Sequence, residues 1–367
     1  MSVDDARRVI EDARAGGVFP AATLEVGSSA APILVSASGT GLETPFDLAS
    51  LTKVIATTTV VMELVRTGAL DLGEPLSAFL AEWRGSDRDR VTVRDLLEHA
   101  SGLPARLLDA PPAGRREFEH DICGMPLEYE PRSRSIYSDL GFILLGFLAA
   151  DRGRAPLNEL FDRIRVRLKP DTTEKSDSSS ADSGSVRLQP DLLTFDLAPT
   201  ERERAAPTRP MEEDARRGRD LAGEVHDNYA AALGGVAGHA GLFGTAPAVG
   251  AFARTVLRAA REREPADSGL VYPEPFSPAL VRAFTTKSLV PGSSRALGWD
   301  TMLPTSSCGT RMSAEAFGHV GFTGTSLWID PTRDRYFVLL TNRVLGAGTL
   351  DEIRTVRRAF HDALGDV

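Results

Sequence analysis

The stretch Phe46-Asp47-Leu48-Ala49-Ser50-Leu51-Thr52-Lys53-Val54-Ile55 decides how this chain is read. Its apolar residues continue through Val60-Val61-Met62 and Leu64-Val65, a pattern that predicts a helix from about residue 50 to 67, closed near Gly68. Ser50 and Lys53 stand three residues apart and therefore share one helix face. A serine hydroxyl is a weak nucleophile until a neighbouring group takes its proton, and a desolvated lysine can do that. Backbone N–H groups at a helix start have no intrahelical acceptor, so they point outward and can stabilise an oxyanion. The same four residues also read as a serine N-cap followed by a solvated lysine, and the rest of the chain has to decide between the two.

Working outward, 42% apolar residues in a chain of 367 are enough for a sizeable core in one large or two medium domains. The net charge is −9 and no basic stripe runs through the chain, which argues against nucleic acid as a partner. Basic residues are nearly all arginine, which sets Lys53 apart from its background. No apolar run is long enough to span a membrane. The opening Met1-Ser2-Val3-Asp4-Asp5-Ala6-Arg7-Arg8 lacks the basic and apolar regions of a signal peptide, so the expected location is cytoplasmic, or periplasmic if the N-terminus is incomplete. Cys123 and Cys308 stand far apart, and neither a disulfide framework nor a zinc site is expected.

Residues 3–16 read as a helix, and 22–27 and 32–37 as two strands about a Ser-Ser turn. Asp71 to Leu80 reads as a loop with a short helix, and 92–99 and 140–150 as further helices. Residues 169–191 are Ser-, Asp- and Thr-rich, a low-complexity insert carrying a short duplication (166–171 and 186–191). Three late strands are expected, at Ala296–Asp300, Ala316–Ile329 and Tyr336–Thr341, followed by a helix over 350–364. The expected fold class is α/β, a mostly antiparallel sheet flanked by helices and built from both chain ends. Residues 1–75 and 245–367 would make the α/β sandwich, and 76–244 an inserted helical domain.

Tyr137-Ser138-Asp139 precedes the helix at 140–150. A tyrosine works as general base or acid when a cation lowers its pKa from about 10, and Lys53 is the candidate cation. A half-buried tyrosine with Ser138 or Asp139 as N-cap is the plainer reading. Gly318-His319-Val320-Gly321-Phe322-Thr323-Gly324 reads as a glycine-rich strand that lets a substrate backbone approach closely, with an N–H next to Gly321 as a second oxyanion donor. His319 would donate to Tyr137 or bind a carboxylate. Alternatively the glycines mark a bulge and the histidine is satisfied in the core.

In this order, S-x-x-K, Tyr-x-Asp and His-x-Gly resemble the serine β-lactamase and penicillin-binding superfamily. The closer likeness is to its class C branch: class C β-lactamases, D-alanyl-D-alanine carboxypeptidases and related esterases. His99-Ala100-Ser101-Gly102-Leu103-Pro104 is similar to that branch's His-Thr-Ser-Gly-Leu segment. Gly223 to Asp227 and Gly234 to Gly244 are similar to its Gly-Gly-Leu-x-Ser-Thr region. The resemblance implies Ser50 as the acylated nucleophile, Lys53 as its proton partner and Tyr137 as the base or acid for the leaving group and the deacylating water. It places Asp139 where an asparagine contacts the substrate amide, and His319, Val320 and Gly321 along the opposite wall. The N–H groups of Ser50 and Phe322 would form the oxyanion hole. It implies a peptide or small-molecule acyl donor and no cofactor or metal, with His226 and His239 structural. Two departures stand out. Asp139 cannot donate as an amide does, though it can keep Lys53 protonated, and Val320 lacks the usual threonine hydroxyl. Both favour a peptidase or a carboxylesterase over efficient β-lactam hydrolysis, and they feed the rival reading of a non-catalytic binding or sensor module.

Overall fold

The computed structural model describes residues 3–107, 110–166, 192–262 and 273–364, and the expected insert at 169–191 lies outside them. In chain order the elements are α1 (Val3–Ala15), β1 (Ala22–Gly27), β2 (Pro32–Ser38), β3 (Phe46–Asp47), α2 (Thr58–Arg66), α3 (Val93–Leu97), α4 (Arg115–Gly124), α5 (Asp139–Gly153) and α6 (Leu157–Arg165). They continue with β4 (Leu193–Thr194), α7 (Pro199–Arg204), α8 (Asn228–Ala232), β5 (Phe243–Gly244), α9 (Ala246–Arg261), α10 (Pro278–Thr285), β6 (Asp300–Thr301), β7 (Phe317–Val320), β8 (Ser326–Asp330), β9 (Arg335–Thr341) and α11 (Leu350–Leu364). The class is the expected one: helices around antiparallel sheets whose main strands come from both ends of the chain.

Six strands pair antiparallel in the order β2-β1-β9-β8-β7-β6. Side chains alternate across a strand, so β9 feeds two cores. Phe337 and Leu339 join Leu24, Val26 and Trp328 under Ile10 of α1 and Ile353 and Phe360 of α11. Tyr336, Val338 and Leu340 join Leu327 and Ile329 under Val249, Phe252 and Val256 of α9. Fully burying one such side chain is worth about 1.5–3 kcal/mol, and both sheet faces are covered this way. A second sheet, β3-β5-β4, pairs Asp47 with Phe243 and leads the chain into Ser50.

The helix read from the opening stretch is present, with a difference at its start. Residues 53–57 form one wide π-turn before the regular α2, and everything from Leu51 to Met62 is buried. Such wide turns inside helices recur at functional sites.

Two late strands differ from expectation. The run 316–329 is not one strand but β7 and β8 joined by a tight turn at 321–325. Gly321 N donates to Thr325 O at 2.8 Å and Gly324 N to Gly321 O at 3.1 Å. Gly324 sits at φ +112°, where a Cβ would fall 1.9 Å from Thr341 Oγ1. Of the run 296–300 only Asp300 enters the sheet. Gly298, at φ +86°, turns the preceding residues back so that Ala296 N meets Trp299 O at 2.8 Å.

Candidate active site

Ser50 follows Ala49, a non-glycine residue in the left-handed region at φ +47°. That conformation costs on the order of 1–2 kcal/mol and persists only where surroundings enforce it. Here Asp47 Oδ1 accepts from Ala49 N at 2.8 Å. Thr323 and Thr325 donate their hydroxyls to Asp47 O and Leu48 O at 2.8 and 3.0 Å. Asp47 is fully buried, which raises its carboxyl to about 6 against the pull of its two backbone donors, His226 N and Ala49 N. The 321–325 turn and the segment before Ser50 are thus laced together.

The Ser50 hydroxyl lies 3.1 Å from Lys53 Nζ and 2.7 Å from the Tyr137 hydroxyl, which donates to it. Ser50, Lys53 and Tyr137 therefore meet as the sequence suggests. Lys53 is fully buried, and its ammonium donates to three acceptors: Ser50 Oγ, Asp139 Oδ1 at 2.7 Å and His239 O at 3.1 Å. An ammonium has three protons to give, so this one is saturated. Burial pulls its pKa down, but the Asp139 carboxylate and its hydrogen bond, with Tyr137 alongside, more than reverse that, and Lys53 ends above its ordinary value. Burial pushes Asp139 up, yet Lys53 and the neighbouring cations bring it below the usual carboxylate range. Lys53 thus rests as a cation, not as the free base that the Ser50–Lys53 spacing taken alone suggests.

Both Asp139 oxygens accept from protein cations. The second accepts from Arg106 Nη1 at 2.9 Å, and Arg106 also reaches Asp227 Oδ2 at 2.9 Å and Asn228 Oδ1 at 2.8 Å. Asp227 Oδ1 pairs with His239 Nε2 at 2.8 Å and caps α8 through Ala230 N. The chain Lys53–Asp139–Arg106–Asp227–His239 forms one wall of the site. His226 holds Asp47 through its backbone and stacks on Phe322, ring centres 5.7 Å apart.

Tyr137 also departs from expectation. Burial raises its pKa, with the Asp139 charge adding to the rise, and this outweighs the downward pull of Lys53, so the phenol rests protonated. Its ring lies between His99, at 4.7 Å, and His319, at 5.8 Å. His319 makes no hydrogen bond to Tyr137. Its Nδ1 lies 2.9 Å from Val320 O, its Nε2 has no partner among the described residues, and burial, with Arg295 and Lys53 nearby, drives its pKa well down. A neutral imidazole offers no charge to a substrate carboxylate. A second cation beside this ring is Arg295, whose guanidinium centre lies 5.2 Å from the Tyr137 ring centre. Its ion pair with Asp300 is long, at 3.9 Å.

The Phe322 N–H sits in the turn, not in a strand. Gly321 packs against Leu48 and Ala49 so closely that a Cβ would fall 2.6 Å from Leu48 O. Among the described residues neither Ser50 N–H nor Phe322 N–H has an acceptor. Val320 ends β7 on the same side. Arg106 and Arg295 escaped the sequence reading, and Asp227 and His239 entered it without a part in the site. Among the described residues no three His, Cys, Asp or Glu side chains gather as a metal site, and no helix is long and apolar enough to cross a membrane.

The description of the Beta-lactamase family matches residues 7–361. An N-acetylmuramyl-L-alanine amidase of Bacillus subtilis strain 168 is 30% identical over 326 residues, covering 82% of this chain and 68% of that protein. A protein of Escherichia coli K12, provisionally named D-alanyl-D-alanine carboxypeptidase, is 29% identical over 335 residues, covering 82% of this chain and 69% of its own. Among solved structures, a class C beta-lactamase from Rhodobacter sphaeroides superposes with a TM-score of 0.71 at 16% identity over 99% of both chains. EstCE1, described as a hydrolase with promiscuous acyltransferase activity, gives 0.70 at 18% over 98% of both. At such identities these two speak for the fold alone. The family match from residue 7 to residue 361 takes in every strand of both sheets, and the chain belongs to the Beta-lactamase family.

Proposed function

We propose that this chain is a serine hydrolase that forms a covalent acyl-enzyme on Ser50, with amide acyl donors of the D-alanyl-D-alanine carboxypeptidase type as substrates. The observation that carries the reading is the Ser50 hydroxyl held between a buried ammonium at 3.1 Å and a buried phenol at 2.7 Å, beside two unengaged N–H groups. Because Lys53 is a saturated cation and Tyr137 is neutral, the phenol acts as a relay. The Tyr137 hydroxyl turns from Ser50 to the leaving nitrogen. In one concerted step Ser50 Oγ adds to the acyl carbon, its proton crosses to the Tyr137 oxygen and the Tyr137 proton passes to that nitrogen, after which the C–N bond breaks and the amine departs. Tyr137 begins and ends neutral. Water then attacks the acyl-serine through the same relay run in reverse, releasing the acid and restoring Ser50. The Lys53 charge favours the serine oxygen as negative charge gathers there, and the two N–H groups receive the oxyanion.

Arg295 supports the peptidase reading over the esterase one. A cation stacked on the residue that serves the leaving group stands where a departing amino acid would carry its free carboxylate. The test is the intact mass of the protein after exposure to a penicillin, with Ser50→Ala alongside. A penicilloyl adduct on the wild type alone is expected. Saturable ligand binding with no adduct, and no turnover of N-acetyl-D-Ala-D-Ala or p-nitrophenyl acetate, would instead make this a binding module.

A further inference from the structure

Two arginines lie buried beneath the 321–325 turn, and among the described residues neither meets a carboxylate. Arg357 reaches up from α11, and its Nη2 donates to Gly321 O and to Thr325 O, each at 2.7 Å. Arg343, just past β9, donates through Nη2 to Phe322 O at 2.6 Å and through Nη1 to Gly348 O at 3.0 Å. Burial, with Arg343 and Arg354 repelling it, pushes Arg357 down to about 9. A buried cation with no counter-ion is costly to any fold.

The turn does not need Arg357 to satisfy its carbonyls. Gly321 O already accepts from Gly324 N, and Thr325 O from Gly321 N. What the guanidinium does reach is the oxygen of the Gly321–Phe322 peptide, whose other end is the unengaged Phe322 N–H. The peptide unit is planar and conjugated, so a cation on its oxygen draws density from nitrogen and sharpens the N–H as a donor. The hydrogen bond also fixes the plane of that peptide, and Thr323 and Thr325 tie the same turn to the backbone before Ser50.

We propose that Arg357 is a positioning residue for the oxyanion site: it orients and polarises the Gly321–Phe322 peptide so that the Phe322 N–H meets the oxygen on which negative charge develops. Arg343 holds the next peptide through its own carbonyl. The proposal rests on the reading of Ser50 as the nucleophile.

The experiment compares wild type with Arg357→Met, Arg357→Lys and Arg357→Gln. Four quantities are measured: kcat and KM for p-nitrophenyl acetate, the affinity for phenylboronic acid, and Tm. The boronic acid gains a bond from Ser50 Oγ, the serine proton leaves to solvent, and the tetrahedral boron carries the negative charge, mimicking the reaction intermediate. In Arg357→Met, kcat and boronate affinity are expected to fall together by about 10–100-fold, less than the loss of a whole oxyanion donor, with KM little changed. Tm should hold or rise, because methionine removes an unpaired buried charge. Lysine should recover most of the loss and glutamine little, since charge is what matters. Should the methionine variant not fold, the lysine–glutamine pair decides. Boronate affinity and kcat within twofold of wild type, or glutamine matching lysine, would overturn the proposal. A wild type that neither binds the boronate nor turns over the ester would bring down the Ser50 reading and the proposal with it. That outcome is distinct from an active wild type indifferent to residue 357.

Discussion

Replacing Asp139 by asparagine restores the amide usual at that position in the class C branch, and the geometry says it will harm this protein. The change removes the carboxylate 2.7 Å from the Lys53 ammonium while leaving a lysine with no exposed surface. Breaking a buried ion pair from one side costs roughly 3–5 kcal/mol. Lys53 can escape by shedding its proton, which from an ordinary value of about 10.4 costs about 4.6 kcal/mol at pH 7 and about 1.9 kcal/mol at pH 9. The two routes are close at neutral pH, so a stability loss of about 3–5 kcal/mol is expected there. The sign with pH follows from linkage. In wild type the pair raises Lys53 and lowers Asp139, so its stabilisation is lost only as pH falls through the depressed Asp139 value or rises through the raised Lys53 value. In Asp139→Asn the folded-state lysine lies below its unfolded value, so the penalty is greatest at low pH and shrinks as pH climbs towards 10. Urea titrations of both proteins at pH 7 and pH 9 measure this. A neutral Lys53 is also a competent base, so ester turnover by the variant should rise with pH earlier than in wild type. A stability loss equal at both pH values, with an unchanged pH–rate profile, would refute the claim that Asp139 sets the charge of Lys53.

Three further outcomes are expected. Tyr137→Phe removes the hydroxyl 2.7 Å from Ser50 Oγ and should lower kcat by about 10²–10⁴ in steady-state assays, while Ser50→Ala and Ser50→Ala/Tyr137→Phe bind substrate alike in calorimetry. Arg295→Gln should narrow the preference for N-acetyl-D-Ala-D-Ala over its C-terminal amide by about 10–100-fold in kcat/KM, the worth of one charge-assisted hydrogen bond. Gly238→Ala would place a Cβ 1.9 Å from Phe142 O and 2.8 Å from Gly146 N, so backbone must move. A loss of about 1–3 kcal/mol is expected by denaturant titration. Because the shift carries His239 O away from Lys53, activity should fall further than the folded fraction does.

Much of the candidate trio was legible because its signals are local. A serine and a lysine three apart at the head of an apolar helix need no tertiary knowledge, and neither does a tyrosine ahead of a capped helix, where Ser138 Oγ does accept from Gly141 N. The roles were less legible. Whether Lys53 is base or cation depends on Asp139, 86 residues away, and on the carbonyl of His239, which has no side-chain signature at all. Arg106 and Arg357 are two arginines in a chain whose basic residues are nearly all arginine, and nothing in their neighbours marks them. The split of 316–329 into two strands was hidden because apolar residues persist through the turn. Gly321 and Gly324 were the available signal, and they read equally well as a bulge. For Tyr137 the sequence points to the cation beside it, but burial and the Asp139 carboxylate outweigh Lys53.

The pairing of β1 with β9 also bears on how the molecule comes into being. Ala22 bonds opposite Thr341, and β1 is flanked by β2 on one side and β9 on the other. A ribosome adding about 5–20 residues per second needs some 15–60 seconds to travel from one to the other. Through that interval the β1–β2 hairpin has an open edge and an uncovered apolar face, and Ser50 is already synthesised with neither the turn at 321–325 nor Arg357 to complete its surroundings. Contacts so far apart along the chain make for slow folding. The surroundings of Ser50 are therefore completed last, from pieces made first and last, and a chain stopped short of β9 holds every residue of the candidate trio without a place to put them.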